Sequence, residues 1–363
     1  MDIPCRFEDV LAKQERRIKD IAEEFSKYNV RRIYVTGSGN SYYAAISAKY
    51  IIEEIVGIPT NHEEAFELAN YTIPNLINYK ISDYAVIGIS LSGATKACID
   101  SLKLAFENKA YTIGITGTTA CPMEKWSRTI VIPRALRKDI PVRANTFATV
   151  LYTISLLATA LRESLIKDSK VIKYKEQLRE IPNIAKKILE SLEPEIAQIA
   201  KKFVTDEDFY YVGGGPNYGT ALDGALMVNE MSRARPWAWE VEEMCHGPWT
   251  TLRRRSIVVL VAPPGRSYHR ITMVAHAIKE SINATIISLV RKGSEGEIVK
   301  YSDHVIEVPE NVDEVLTPIV YDIPLLLFAY YRGVFRGLNP DTHGMDVAGF
   351  EKMPRILHPP GWH

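Results

Sequence analysis

One pattern occurs twice in this sequence, and the repeat limits the fold more than any other feature. Residues 34–41 (YVTGSGNS) have a counterpart in residues 211–218 (YVGGGPNY). Each segment is an apolar run that ends in a glycine turn and precedes an alanine-rich stretch. Three further apolar runs follow in the same order in each part, at residues 84–89, 111–115 and 128–133, and again at residues 256–261, 284–289 and 303–309. Four matching elements in one order indicate an internal duplication.

The apolar runs predict the fold class. They are apolar throughout, which is typical of strands buried on both faces of a parallel sheet. Helical segments separate them, so the β-α-β-α-β order predicts an α/β fold in which each half is a doubly wound, flavodoxin-like sheet between two layers of helices. The predicted organisation is an N-terminal helix (1–29), a first domain (30–165), a helical connection (166–202), a second domain (203–338) and a C-terminal tail (339–363). In the connection, Pro182 and Pro194 predict helix breaks.

Charge and cysteine content exclude several kinds of partner. Lys and Arg total 44, as do Asp and Glu, so no global field favours nucleic acid or an anionic membrane. No uninterrupted apolar run approaches the ~20 residues that span a bilayer. The four cysteines show no CxxC spacing, which favours reduced thiols over disulfides or a metal site. We therefore expect a cytoplasmic protein that binds neither nucleic acid nor membrane.

The segment SLSGAT, residues 90–95, is the strongest candidate for a binding site. It follows a predicted strand and precedes a predicted helix, where ligands of open α/β sheets bind and where helix N–H groups are unpaired. Ser90, Ser92 and Thr95 add neutral hydroxyl donors, and Gly93 lets the backbone curve around an oxyanion. The segment therefore predicts a phosphate site that needs no lysine or arginine.

Two other interpretations compete. Serine and threonine also cap helices, so these hydroxyls could serve only the helix. The turn at residues 37–41 resembles part of a dinucleotide fingerprint, but GxGxxG is incomplete because position 42 is tyrosine. A Walker A loop is excluded, since the sequence contains neither GKS nor GKT.

The motifs together resemble a known family. TGSGNSYYAA and SLSGAT, followed later by GGGPNYGTALDGALMVNE and MCHGP, resemble the sugar isomerase (SIS) domain family. The pattern is similar to its tandem group: the isomerase half of glucosamine-6-phosphate synthase, fructosamine-6-phosphate deglycases, and amino-sugar-phosphate deaminases and isomerases. The resemblance covers about residues 30–335 and implies two tandem SIS domains.

The resemblance also implies site residues and a mechanism. It places the sugar phosphate on Ser90, Ser92 and Thr95, with Asn40 and Ser41 completing the pocket. It identifies Glu230 as the catalytic carboxylate and His246 as the histidine that opens the sugar ring. A histidine of this kind can come from a neighbouring subunit, which implies a homodimer. Proton transfer next to a carbonyl or imine requires a carboxylate with a raised pKa and a group near neutral pKa, so we expect no metal and no cofactor.

Several positions depart from the synthase pattern. The lysine expected three residues before the glutamate is Met227. We also expect no glutaminase domain and therefore no hydrolysis of glutamine. Lys352 and Arg355 are loose candidates for a C-terminal catalytic lysine. Other residues have either a site role or a plain structural role. The structural role is half-buried packing for Trp237 and Trp239. It is a solvated surface for the acidic residues Glu240, Glu242 and Glu243 and for the basic residues Arg137, Lys138 and Arg143.

These departures favour release of an amine over transfer of ammonia from glutamine. We expect an enzyme that acts on an aminated hexose 6-phosphate, of deglycase or deaminase type. The alternatives are an aldose–ketose phosphosugar isomerase, the isomerase subunit of a glucosamine-6-phosphate synthase-like system, and a non-catalytic phosphosugar sensor.

Overall fold

The computed structural model describes residues 2–133, 145–166, 168–294 and 296–359. These residues form two compact units. The first half contains residues 2–133, 145–166, 168–182 and 347–359, and the second half contains residues 183–294 and 296–346.

The first half is built on a sheet of five parallel strands in the order β2-β1-β3-β4-β5. The strands are β1 (Arg32–Gly37), β2 (Thr60–Glu64), β3 (Tyr84–Ile89), β4 (Tyr111–Ile115) and β5 (Thr129–Val131). The helices are α1 (Ile3–Phe25), α2 (Asn40–Val56), α3 (Ala65–Glu67), α4 (Ile73–Asn78), α5 (Lys96–Glu107), α6 (Thr146–Leu165) and the start of α7 (Lys170–Lys202).

Burial explains why these segments fold as they do. Every residue of β3 and β4 is buried, as the continuous apolar runs require. The amphipathic α1 buries one face, from which the Phe7 ring contacts the Tyr152 ring of α6 with the centroids 4.7 Å apart.

The second half repeats this arrangement with five parallel strands in the order β7-β6-β8-β9-β10. The strands are β6 (Phe209–Gly213), β7 (Trp237–Glu240), β8 (Ile257–Val261), β9 (Thr285–Arg291) and β10 (His304–Val308). The helices are the end of α7, then α8 (Asn217–Ser232), α9 (Val241–Met244), α10 (Tyr268–Ser281) and α11 (Thr317–Phe335). The last helix of the chain, α12 (Lys352–Leu357), belongs to the first half.

The predicted doubly wound parallel sheet is confirmed in both halves, and the two sheets share one strand order. The expected set of four strands per half was incomplete, because β2 and β7 each add an edge strand. The sequence of β2, TNHEE, has no apolar run, and β7 is a short WAWE segment with an exposed first residue. Pairing with the neighbouring central strand stabilises these edge strands, so local pattern does not reveal them.

The predicted breaks at Pro182 and Pro194 are wrong, since α7 is continuous over both. Proline leaves the carbonyl four residues earlier without its helical N–H donor. For Pro182 that carbonyl belongs to Leu178, and the buried Tyr152 hydroxyl donates to it at 3.1 Å. Pro194 lies on the exposed face of α7, where water can take the place of the missing N–H.

One stretch of the described residues is long and apolar enough to cross a membrane. It runs over Glu314–Phe335 and therefore consists mainly of α11, and most of it is buried inside the protein. Buried core helices of globular proteins share this length and composition.

Candidate functional site

The strand order places the candidate phosphate site of the first half. The chain places β2 on one side of β1 and then crosses back to place β3 on the other side of β1. The crevice outside the carboxyl ends of β1 and β3 is therefore the topological switch point, where open α/β sheets bind ligands. Residues 37–41 follow β1, and residues 90–95, here named the hydroxyl loop, follow β3. The turn packs against the loop's strand, since a Cβ on Gly37 would lie 2.9 Å from the Ile89 carbonyl oxygen.

The three hydroxyls of the hydroxyl loop form a cluster. The Ser90 Oγ lies 2.9 Å from the Thr95 Oγ1 and 3.3 Å from the Ser92 Oγ. Thr95 is the N-cap residue of α5, yet its side chain makes no capping hydrogen bond. Backbone N–H groups of Ala94 and Thr95 donate to Ser92 and Ser90 only at 3.3 and 3.4 Å. The hydroxyls therefore point together at a helix N-terminus instead of serving mainly as a helix cap.

Backbone hydrogen bonds hold the hydroxyl loop in place. The Ser90 N–H donates to the Ile115 carbonyl, the Gly117 N–H to the Leu91 carbonyl and the Met123 N–H to the Gly93 carbonyl, each at 3.0 Å. Leu91 anchors the loop as a buried side chain. Lys96 forms an ion pair with Asp100 on the same helix. The donors that the loop presents are thus hydroxyl and N–H groups in a fixed arrangement, which suits a phosphate monoester.

Two carboxylates at the end of β2 were not anticipated from sequence. Glu64 accepts a hydrogen bond from the Ser38 hydroxyl at 2.6 Å, which ties β2 to the glycine turn. Burial raises the pKa of Glu63, although the Thr72 hydroxyl donates to it at 2.6 Å. Both residues lie on the edge strand that the sequence pattern did not reveal, so no local signal marked them.

Glu230 lies near the C-terminus of α8 in the second half. Its side chain is 12% exposed, and burial raises the pKa of its carboxyl. His343 opposes this shift, because its Nε2 is 3.7 Å from the Glu230 Oε1. A largely buried carboxylate with a raised pKa accepts a proton more readily than an ordinary exposed carboxylate, as a general base must.

His246 lies on the turn that follows α9, and its partner is a different carboxylate. Its side chain is 69% exposed, and its Nε2 is 3.2 Å from the Glu242 Oε1. Arg270 donates to the same carboxylate at 2.6 and 3.0 Å. Hydrogen bonds from Arg270 and then His246 lower the pKa of Glu242. The two catalytic residues implied by the resemblance thus have separate partners, Glu230 with His343 and His246 with Glu242.

The remaining candidates divide between structural and exposed positions. The Glu240 carboxylate accepts from the N–H groups of Glu242 and Glu243 and so caps α9. Trp237 and Trp239 stack with their rings 6.3 Å apart. Met227 is fully buried. Lys352 and Arg355 are exposed on α12, and the basic residues Arg137, Lys138 and Arg143 lie outside the described residues.

The described residues therefore provide a candidate anion site in the first half and a carboxylate with a raised pKa in the second. Among the 2–133, 145–166, 168–294 and 296–359 ranges, no group of three or more His, Cys, Asp or Glu side chains could hold a metal ion. The four cysteines are free.

Comparison with known proteins identifies the class of the first half. Residues 28–162 match the family model described as SIS domain, so the resemblance is confirmed for this part of the chain, and the first half contains a SIS domain.

In sequence, the chain is related to glutamine–fructose-6-phosphate aminotransferases (isomerizing). It is 30% identical over 338 residues to the Pyrococcus horikoshii protein of that name, an alignment that covers 93% of this chain and 54% of that protein. The chain thus spans about half the length of the curated relatives that it matches.

Solved structures share the fold over nearly the whole chain. One is the C-terminal domain of glucosamine-fructose-6-phosphate aminotransferase from Francisella tularensis, with a TM-score of 0.81, 22% identity, and coverage of 93% of this chain and 97% of that chain. Another is glucosamine-6-phosphate deaminase from Thermotoga maritima, with a TM-score of 0.64, 20% identity and the same coverage of 93% and 97%. At these identities the likeness concerns the fold alone.

Proposed function

We propose that this chain is an enzyme that acts on an aminated hexose 6-phosphate and releases an amine or ammonia. The observation that carries the proposal is the hydroxyl loop, a cluster of three hydroxyls at a helix N-terminus and at the switch point of a SIS domain. Its donors are neutral and fixed by backbone hydrogen bonds, so they fit a compact anion such as a phosphate monoester.

In the proposed reaction the two halves have different tasks. Ser90, Ser92 and Thr95 bind the phosphate, and Asn40 and Ser41 complete the pocket. Glu230 moves a proton between C1 and C2 of the open-chain sugar, for which its burial-raised pKa is suited. The proton shift converts the C–N single bond into an imine, and water then hydrolyses the imine to a carbonyl, which breaks the C–N bond and releases the amine or ammonia. His246 promotes opening of the sugar ring. Side chains alone can perform these proton transfers.

The second half is proposed to be a diverged second SIS domain. Its strand order repeats that of the first half, and its segment APPG, residues 262–265, stands where the hydroxyl loop stands in the first half. This segment lacks the serine cluster, which supports the proposed division between phosphate binding and catalysis.

We further propose a cytoplasmic homodimer in which His246 reaches the site of the neighbouring subunit. Mass measurement in solution tests the dimer, and a monomer at assay concentration contradicts it.

A second candidate function is the isomerase subunit of a glucosamine-6-phosphate synthase-like system, or a simple aldose–ketose isomerase. Its specific support is the sequence relation to aminotransferases, which extends over 93% of this chain. The buried Met227 favours amine release instead, because the resembling synthase has an imine-forming lysine at this position.

Incubation of the purified protein with a substrate panel separates these functions. Glucosamine 6-phosphate and fructosamine 6-phosphates test amine release, followed as ammonia, free amine and hexose phosphate. Fructose 6-phosphate with ammonia tests the synthase direction, and fructose 6-phosphate alone tests isomerisation. We expect amine or ammonia release. Binding without turnover of any of these compounds contradicts an enzyme and supports a sensor.

Substitution of the proposed base provides the first prediction. Glu230→Gln keeps the size of the side chain but removes its ability to accept a proton, so we expect turnover to fall by at least ~100-fold while sugar-phosphate binding is retained. The matched control is Glu280→Gln, the same change at an exposed position of α10, which should leave turnover unchanged. Equal turnover in both variants rules out Glu230 as the base.

A further inference from the structure

A short segment after α11 is fastened to the end of α8, the helix that carries Glu230. Within residues 339–346, Asp346 accepts hydrogen bonds from the Arg233 guanidinium at 2.5 Å and from the Thr342 hydroxyl at 2.7 Å. Arg233 is the residue at the C-terminus of α8. Pro340 of the segment is buried, and it packs on α11 near Gly333. The segment is therefore held in one place relative to Glu230.

His343 is the member of this segment that contacts Glu230. The 3.7 Å between its Nε2 and the Glu230 Oε1 is a charge contact, too long for a direct hydrogen bond. His343 has a φ of +52°, a left-handed conformation that costs a non-glycine residue about 1 kcal/mol or more. The tether between Arg233, Asp346 and Thr342 maintains this backbone, and the result is an imidazole directed at a buried carboxylate.

Packing alone does not account for this contact. The His343 side chain is 48% exposed, so it contributes little apolar burial, whereas the Glu230 side chain is only 12% exposed. Two nearby guanidinium groups already have other partners. Arg233 is paired with Asp346, and Arg332 of α11 donates to the Phe203 and Ser232 carbonyls. The charge of a protonated His343 lowers the pKa of the Glu230 carboxyl, against the effect of burial.

We propose that His343 is a positioning residue, which holds the Glu230 carboxylate ionised and oriented so that Glu230 can accept a proton from the substrate. This inference rests on the proposed role of Glu230 as the base, and it assigns a function to a segment outside both sheets. An opposite charge within 4–6 Å favours the ionised form of a carboxyl, so the imidazolium works against the burial of Glu230.

The kinetic test is the pH profile of kcat/KM for His343→Asn, measured with whichever substrate of the panel the wild-type protein turns over. Asparagine tolerates left-handed backbone, so the segment can keep its conformation, but it carries no charge. We expect the acid limb of the profile to move up by about one pH unit, with about a tenfold loss below the limb and little loss above it. The matched control is His276→Asn, since His276 is exposed on α10 and stacks on Tyr301.

A second measurement does not depend on turnover. The Glu230 carboxyl carbon is titrated by NMR in protein labelled with ¹³C-glutamate, with Glu230→Gln used to assign its signal. In His343→Asn the midpoint should move to higher pH. In His276→Asn it should not move.

The two measurements separate failure of this inference from failure of the proposed function. If the wild-type protein turns over no substrate, the proposed function fails and the NMR midpoint still decides whether His343 controls Glu230. An unmoved midpoint in His343→Asn overturns the inference. So does a moved midpoint together with an unmoved kinetic limb, because His343 would then pair with Glu230 without supporting catalysis.

Discussion

Gly93 lies where the hydroxyl loop meets the residues that follow β4. Its φ is +65°, and a Cβ at this position would lie 2.3 Å from the Cys121 Sγ. Gly57, at the end of α2, has a φ of +81° with nothing within 4 Å of such a Cβ. Both glycines adopt a left-handed backbone conformation, but of the two only Gly93 has a neighbouring side chain that a Cβ would clash with.

Alanine substitution of Gly57 and of Gly93 tests how tightly the hydroxyl loop is packed. We expect Gly57→Ala to lower the free energy of unfolding by about 1 kcal/mol, the cost of left-handed backbone. Gly93→Ala should lower it by about 2–4 kcal/mol, because Cys121 must also move. It should also weaken phosphate binding by displacing Ser92. Urea unfolding and phosphate titration measure both effects, and equal losses of stability in the two variants would show that the loop is not tightly packed.

Arg332 of α11 is a fully buried side chain that ties together three parts of the second half. Its Nε donates to the Phe203 carbonyl at 3.0 Å, its Nη1 to the Ser232 Oγ at 2.7 Å, and its Nη2 to the Asp206 carbonyl. Burial lowers the pKa of Arg332 to about 10. These bonds join α11 to the end of α8 and to the chain that enters β6.

Because Arg332 satisfies several buried acceptors, its loss should be costly. Arg332→Met should lower the free energy of unfolding by about 3 kcal/mol or more, since each unsatisfied buried acceptor costs about 1–3 kcal/mol. Arg336→Met is the control, because Arg336 pairs with Glu207 on the surface at 2.5 Å. It should cost less than about 1 kcal/mol. Similar losses in denaturant unfolding would contradict the role given to Arg332.

Helices α8 and α11 also share a buried acid pair. Asp322 of α11 and Asp223 of α8 are both fully buried. Burial raises the pKa of Asp322 well above its ordinary value of 3.8, and the neighbouring Asp223 acts in the opposite direction. Asp322 therefore keeps its proton in the folded protein at pH values where the unfolded chain has lost it.

The sign of the pH dependence follows. Stability from this group is fully present below the ordinary value of 3.8 and is lost as pH rises toward the raised value, by up to about 1.4 kcal/mol per pH unit. Asp322→Asn has no proton to lose, so its stability should fall less between pH 4 and pH 7 than that of the wild-type protein. Asp341→Asn, an exposed control, should keep the wild-type slope. Parallel curves for wild type and Asp322→Asn would show that Asp322 does not keep its proton in the folded protein.

At the scale of the whole molecule, the central strands could be predicted from sequence because strands buried on both faces consist of continuous apolar runs. The strands Tyr84–Ile89 and Tyr111–Ile115 agree with the prediction to the residue. The edge strands Thr60–Glu64 and Trp237–Glu240 depend on pairing with a neighbour, and the continuity of α7 depends on the distant Tyr152 hydroxyl. Strand pairing and the Tyr152 hydrogen bond both involve residues far away in the sequence, so local sequence pattern does not reveal them.

The candidate site likewise has one part that could be predicted from local sequence and one part that could not. The hydroxyl cluster is encoded in six consecutive residues, so its position at a strand–helix junction could be predicted before the structure. The contact between Glu230 and His343 joins parts of the chain that are far apart, and nothing near His343 marks it in the sequence. Specific long-range packing brings the two together.

The hydroxyl loop is proposed to select the phosphate of a sugar phosphate. Calorimetric titration of the wild-type protein with glucosamine 6-phosphate and with glucosamine tests it most directly, with Ser92→Ala as the variant and the exposed Ser26→Ala as its control. We predict binding of the phosphate ester alone, weakened at least about tenfold in Ser92→Ala, because a charge-assisted hydrogen bond contributes about 1.5–3 kcal/mol. Equal binding of the two sugars, or unchanged affinity in Ser92→Ala, would contradict the claim.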